Sequence, residues 1–182
     1  MKNVLVALAP GFEEIETITV VDILRRAGAK VFLAGTVEGA IEGSRGVRII
    51  ADMALESAVS QNWDLLVLPG GQPGTDNLKK HSVVVELIQK LHEEHKLIAA
   101  ICAAPLVLQS AGILKDNTIT SHPSVEEKLN AINYSQERVV VDGNIITSRS
   151  PGTAMEFAMK LVELLFGKER MEVVNKGVLA KL

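Results

Sequence analysis

The chain holds a single cysteine, and its setting makes it the first residue to weigh for chemistry. It lies in Ala99-Ala100-Ile101-Cys102-Ala103-Ala104-Pro105. The apolar run Leu97–Ile101 reads as a strand, and Pro105 fits the first turn of a helix. Cys102 therefore falls where a strand turns into a helix, among side chains small enough for a sharp, crowded turn. Free N–H groups and the dipole of a helix start favour a thiolate there, which would make Cys102 a nucleophile. The competing reading is a core cysteine acting as a small hydrophobe, the commoner fate of a lone one. The strand-end position favours the reactive thiol.

Two more strand-end loops carry candidate partners. Pro69-Gly70-Gly71-Gln72-Pro73-Gly74 follows the strand-like Leu65–Leu68. Glycine amides can approach a ligand closely because no Cβ intervenes. The Gly71 and Ala103 amides, with Gly70 beside them, could form an oxyanion site, although a Gly-Gly loop alone reads as a plain turn. Pro10-Gly11-Phe12-Glu13-Glu14-Ile15-Glu16 follows the first strand. Acidic residues stabilise a helix start, and that accounts for Glu13, Glu14 and Glu16 alike. Only Glu16, one turn in, is placed to turn toward the strand ends. His122, in Thr120-Ser121-His122-Pro123, reads equally as a site residue or a turn residue. His81, His92 and His95 fall in or beside polar helix segments and read as solvated. His92 and His95 share one helix flank but lack a third ligand, so no metal site is expected.

The elements that must position these residues alternate. Asn3–Ala9, Ala29–Ala34, Asp64–Leu68 and Leu97–Cys102 are short apolar runs, as expected of parallel strands buried on both faces. Between them, a helix runs from about Glu13 to Ala27, with Arg25 and Arg26 in its last turn and Gly28 as its stop. Val84, Leu87, Ile88 and Leu91 mark a second helix by their spacing. Pro105 to Gly112 frames a third. Ser124…Glu127 and Thr153…Glu156 have the spacing of capping boxes, the latter leading into Ala154, Phe157, Ala158, Leu161, Val162 and Leu165 before Gly167. Arg138–Val141, Asp142-Gly143 and Asn144–Thr147 predict a hairpin with a type I′ turn. Gly35–Asp52 is Gly-rich and predicts a small hairpin outside the main sheet. The sum is one doubly wound α/β domain spanning residues 1–182.

Composition narrows the function classes. Hydrophobic residues make up 47% and charged residues 23%, which excludes disorder for most of the chain. A net charge of -3 and an aromatic content of 3% argue against a nucleic-acid surface. One cysteine cannot build a disulfide scaffold and fits a reducing compartment. No apolar run reaches the length of a membrane span, and no targeting segment is expected, so a cytoplasmic protein is predicted. The Gly70–Gly74 loop lacks the Lys-Ser/Thr of a phosphate-binding loop.

Taken jointly and in order, several segments resemble the ThiJ/PfpI superfamily, in the branch of the parkinsonism-associated protein deglycase and its bacterial relatives. They are Ala9-Pro10-Gly11-Phe12-Glu13-Glu14-Ile15-Glu16-Thr17, Arg25-Arg26-Ala27-Gly28, Val67-Leu68-Pro69-Gly70-Gly71, Ile98–Pro105, Thr120–Pro123 and Thr147-Ser148-Arg149-Ser150-Pro151-Gly152-Thr153. The resemblance implies a flavodoxin-like three-layer sandwich, a homodimer and no cofactor. It implies a nucleophilic Cys102 with Glu16 close to its sulfur, protonated and hydrogen-bonded to the thiolate or to its oxidised sulfinate. His122 matches a candidate proton shuttle, and Gly71 and Ala103 match amides that face the reacting oxygen. Arg26 and Arg45 match arginines that line the site near the dimer interface. The implied activity is that of a glutathione-independent glyoxalase or protein deglycase, acting on reactive α-oxoaldehydes or on glycated proteins. The alternative is an oxidative-stress sensor or redox-regulated chaperone that forms a Cys102 sulfinate without turnover. Protease-like members of the superfamily carry His directly after the nucleophile. Here that residue is Ala103, so a peptidase lacks its base. The second cysteine some relatives carry near Val47–Ala51 is absent, which weakens a two-thiol mechanism. Nothing in the chain marks an interface, though the apolar face of the helix around Ile15–Ile23 is a candidate.

Overall fold

The computed structural model describes residues 1–130 and 133–182. Its strands are β1 (Asn3–Leu8), β2 (Lys30–Gly35), β3 (Ala40–Glu42), β4 (Arg48–Ile50), β5 (Met53–Ala54), β6 (Leu65–Leu68), β7 (Leu97–Ile101), β8 (Thr118–Ile119), β9 (Asn133–Tyr134), β10 (Val139–Asp142) and β11 (Ile145–Ser148). Its helices are α1 (Glu14–Ala27), α2 (Gly74–Lys80), α3 (Ser82–Glu93), α4 (Pro105–Ser110), α5 (Ala154–Phe166) and α6 (Lys168–Val178). The main sheet runs β10-β11-β7-β6-β1-β2-β5, parallel throughout except for the edge pair β10 and β11. This is the flavodoxin-like α/β sandwich expected, with a central parallel sheet between helical layers.

Both faces of the sheet are covered, and the central strands show why they lack a polar side. In β1, Val4, Val6 and Leu8 point into the core under α1, α5 and α6. Leu5 and Ala7, with Ala9 beyond the strand, point into the core under α2, α3 and α4. The stripe on α5 is fully buried from Ala154 to Val162, with Phe157 at its centre. The short strands β3 and β4 pair antiparallel as a separate hairpin, as predicted for the Gly35–Asp52 stretch.

From β1 the chain crosses to β2 on one side, while β6 and then β7 lie on the other. The strand order thus reverses between β1 and β6, and that crevice is where doubly wound sheets bind ligands. The loops after β1, β6 and β7 all open there.

Three local expectations are corrected. Asp142 pairs with Ile145, so the hairpin turns at Gly143-Asn144, one residue later than predicted. Gly143 alone of the two has positive φ (61°), which suits a type II′ turn rather than I′. Ser124…Glu127 caps no α-helix, because Pro123–Lys128 is a 3₁₀ turn capped by the His122 ring. Thr153 acts one turn earlier than its expected capping box, its hydroxyl accepting from Ser150 N–H at 3.0 Å, while Glu156 turns to Arg138. The helix α6 had no sequence signal. It buries only Val174 and is held by Arg170, whose guanidinium donates to the carbonyls of Arg26 and Ala27 at the end of α1. A cation over the exposed carbonyls of a helix C-terminus is favoured by the dipole.

Candidate active site

Cys102 sits on the elbow between β7 and α4 with φ of +65°, a left-handed conformation that a side chain rarely adopts. The turn is tied from two sides. Cys102 N–H donates to Ser148 O at 3.0 Å, at the end of β11, and Cys102 O accepts from His122 N–H at 2.8 Å. Strain of this kind persists only where the surroundings over-determine it.

Gly70 lets the thiol and an acid meet. A Cβ at position 70 would stand 2.6 Å from Cys102 Cβ and 2.8 Å from Glu16 Oε2, so no other residue fits without displacing one of them. Glu16 points from the first turn of α1 into this gap and is buried, with 1% of its surface exposed. Its Oε2 accepts from Gly70 N–H at 2.8 Å. Its Oε1 is also buried and, among the described residues, has no hydrogen-bond partner. The Cys102 thiol lies against this carboxyl, close enough for each group to shift the other's titration.

Burial, with a smaller contribution from the charge of Glu13, raises the Glu16 carboxyl from 4.5 to about 7, against the lowering by Gly70 N–H. Burial and the neighbouring Glu16 carboxylate push the thiol up to about 12, while the amides of Gly71 and Ala103 act to lower it. Two acids in contact in a dry site do not both ionise, and their protons come off as a coupled pair. Across neutral pH the pair therefore keeps at least one proton. Gly71 and Ala103 carry the amides that face the sulfur. The Gly70 N–H belongs instead to Glu16, which takes Gly70 out of the expected set of oxyanion donors and makes it a holder of the acid.

The sulfur opens on a cleft of about 300 Å³ lined by Glu13, Ser44, Arg45, Gly71, Cys102, Ala103 and His122, among others. His122 is kept beside the elbow by its own backbone bond. Its Nδ1 accepts from Ser124 N–H at 3.2 Å and lies 2.8 Å from Ser124 Oγ. An acceptor Nδ1 assigns the ring proton to Nε2 in the neutral tautomer. In the sequence Ser124 stood out only for its capping-box spacing with Glu127, and nothing there marked it as a partner of His122.

The chain belongs to the DJ-1/PfpI family. The family model, described as the DJ-1/PfpI family, matches residues 2–164. Protein dj-1beta of Drosophila melanogaster is 47% identical over 98% of this chain and 97% of its own length. The crystal structure of that DJ-1beta superposes with a TM-score of 0.96 at 46% identity, covering 98% of this chain and 97% of the other. A Caenorhabditis elegans relative called glutathione-independent glyoxalase DJR-1.2 is 38% identical over 96% of this chain and 95% of its own.

Not every predicted residue reaches this cleft within one chain. Arg26 lies in the last turn of α1, the opposite end of the helix from Glu16, where it pairs with Asp22 at 2.9 Å and borders a groove against α6. Ten residues of helix set Arg26 about 15 Å along the axis from Glu16, so within one chain it stands away from the cleft. Arg45, on the hairpin tip, does line the cleft. Of the other histidines, His95 is exposed as expected. His81 and His92 are half-buried, and the Nδ1 of each is buried without a partner, contrary to the solvated reading. Among the described residues, no three His, Cys, Asp or Glu side chains converge as a metal would require. A larger cleft of about 480 Å³ lies between the end of β2 and β5, lined by Glu38, Ile50 and Glu56, but it contains no nucleophile. Among the described residues, no helix is long and apolar enough to cross a membrane.

Proposed function

We propose that the protein is a cofactor-independent thiol enzyme that converts α-oxoaldehydes to hydroxy acids, with Cys102 as nucleophile. The observation that carries this is the contact of one thiol with one deeply buried carboxyl at the floor of an open cleft. A carboxyl titrating near pH 7 is matched to general acid–base work at neutral pH. The name of the Caenorhabditis elegans relative supports the same reaction class.

Cys102 sulfur adds to the aldehyde carbon as its proton passes to Glu16, giving a hemithioacetal whose oxyanion lies against the Gly71 and Ala103 amides. The proton on that carbon leaves and one is returned to the neighbouring carbon, through Glu16 and the Nε2 side of His122. The aldehyde carbon is thereby oxidised to a thioester and the ketone carbon reduced to an alcohol, with no external oxidant. Water cleaves the thioester, releasing the hydroxy acid and restoring the thiol. Glycated proteins that release the same aldehyde are alternative substrates.

The test is lactate formation from methylglyoxal without glutathione, by wild type, Cys102→Ser and Glu16→Gln. Activity lost with Cys102→Ser and reduced at least about a hundredfold in Glu16→Gln supports the mechanism. Full activity in Cys102→Ser would refute it. A second reading, a redox sensor, draws on the same amides, which would also receive the oxygens of a sulfinate. Stoichiometric addition of two oxygens at Cys102 under mild peroxide, in a protein with no turnover, would favour it. A homodimer through the outer face of α1 is supported by Ile15 and Ile18, which are 56% and 46% exposed, whereas Ile23 is buried in the core and takes no part. Its solution mass checks this.

A further inference from the structure

Glu14 was explained in the sequence by the helix start alone, yet its carboxylate does something that a helix start does not require. It leaves α1 sideways and reaches the tip of the β3–β4 hairpin. Its Oε1 accepts from Arg45 N–H at 2.6 Å and Val47 N–H at 3.3 Å, and its Oε2 from Ser44 Oγ at 3.1 Å. The tip has little else to hold it. It carries no buried apolar side chain between Gly43 and Arg48, and its other ties are the Ser44 N–H bond to Phe12 O and two bonds of its own backbone. Gly43 is shaped around the same carboxylate, since a Cβ there would stand 2.6 Å from Glu14 Oε1. Ionised Glu14 is thus wrapped by donors, which hold its carboxyl below the ordinary carboxylate range although burial opposes this.

What the tip presents is Arg45. Its guanidinium donates to Ser44 O at 3.3 Å and, among the described residues, forms no ion pair with a carboxylate. It borders the Cys102 cleft, which His122 also lines. We infer that Glu14 is a positioning residue that braces the Gly43–Val47 tip, so that Arg45 stands at the mouth of the cleft and selects carbonyl substrates bearing an anionic group. The substrate part of this rests on the reading of Cys102 as the nucleophile. The bracing part does not.

Cys102 is the chain's one thiol, so alkylation reads it without ambiguity. The probes are iodoacetate and iodoacetamide, which differ in charge and share a leaving group, and the readout is the ratio of their rates by mass spectrometry. Removing a guanidinium a few ångströms from the reagent's carboxylate should lower that ratio roughly threefold to tenfold in Arg45→Ala at low salt, and the effect should fade near about 1 M salt. Glu14→Ala should lower it in the same way. Glu14→Gln, which still offers an acceptor to the Arg45 and Val47 amides, should keep most of it. Independently, trypsin should cut after Arg45 faster in Glu14→Ala than in wild type. If Glu14→Ala does not fold, Gly43→Ala poses the same question by displacing the carboxylate. A wild-type ratio and wild-type cleavage in the braceless variant overturn the bracing. A wild-type ratio in Arg45→Ala overturns the anion selection while leaving the nucleophile in place. No alkylation of wild type by either reagent overturns the nucleophile, and the anion selection with it, while the trypsin comparison still decides the brace.

Discussion

Replacing Glu16 by Gln should stabilise the protein, and increasingly so as the pH rises. In wild type the carboxyl titrates at about 7 when folded and near its ordinary 4.5 when unfolded. The folded pKa is the higher one, so the group's contribution to stability is fully present below about pH 4.5 and is lost as the pH climbs through about 7. At about 1.4 kcal/mol per unit, that loss comes to about 3 kcal/mol. Glu16 is almost wholly buried, so solvent screening takes little from this figure. Gln cannot ionise, has nearly the same shape, and its carbonyl still accepts from Gly70 N–H.

The stability difference, variant minus wild type, should therefore rise by about 3 kcal/mol between pH 4.5 and 8. Urea unfolding at fixed pH steps across that window measures it. Stopping at pH 8 keeps the thiol out of the comparison, because Cys102 ionises only at about 12 when folded and near 9.0 when unfolded. Parallel stability curves for the two proteins would show that Glu16 is not ionised at a cost in the folded state, and would remove the ground for reading it as an acid poised near neutrality.

Other substitutions separate the parts of the site. Gly70→Ala puts a methyl 2.6 Å from Cys102 Cβ and should slow Cys102 alkylation by at least about tenfold, with a stability loss of about 1–3 kcal/mol measured by thermal melting. His122→Ala should lower turnover of methylglyoxal by about a hundredfold while leaving alkylation of Cys102 within about twofold, since the ring moves protons and does not activate the sulfur. Arg26→Ala should leave both turnover and alkylation unchanged. Its ion pair with Asp22 is half exposed, so thermal melting should register at most about 0.5 kcal/mol.

The parallel sheet was legible because β1, β6 and β7 are apolar on both faces, and only burial between two helical layers produces that pattern. The elbow was legible for a related reason: small residues around a lone cysteine between a strand and a proline leave little else for the chain to do. Glu14 was not separable from Glu13 in the sequence, and Glu16 differed from them only in lying one turn further into the helix. All three suit a helix start, and their different fates depend on which loops α1 faces, a tertiary fact. Arg26 erred in the other direction. Its motif matched, but motif order says nothing of which end of a helix lies at the cleft. The helix α6 left no trace because it is held by the Arg170 guanidinium on two carbonyls rather than by a wide apolar stripe.

The donors around the pair bear on how the sulfur becomes reactive. The carboxylate form of Glu16 receives Gly70 N–H, and the thiolate form of Cys102 would face the Gly71 and Ala103 amides. With Glu16 ionised, its charge holds the proton on the thiol. Once the proton crosses to the carboxyl, that charge vanishes and the two amides are left to stabilise the sulfur's charge. In the proposed mechanism the barrier to nucleophilic attack therefore contains a single short proton transfer inside a dry pocket, and its outcome returns a neutral acid beside the developing oxyanion. A lone thiol on the same elbow would have to release its proton to water across the cleft. In that mechanism the buried carboxyl, unfavourable for stability above neutral pH, takes the part that a neighbouring histidine at position 103 would otherwise play.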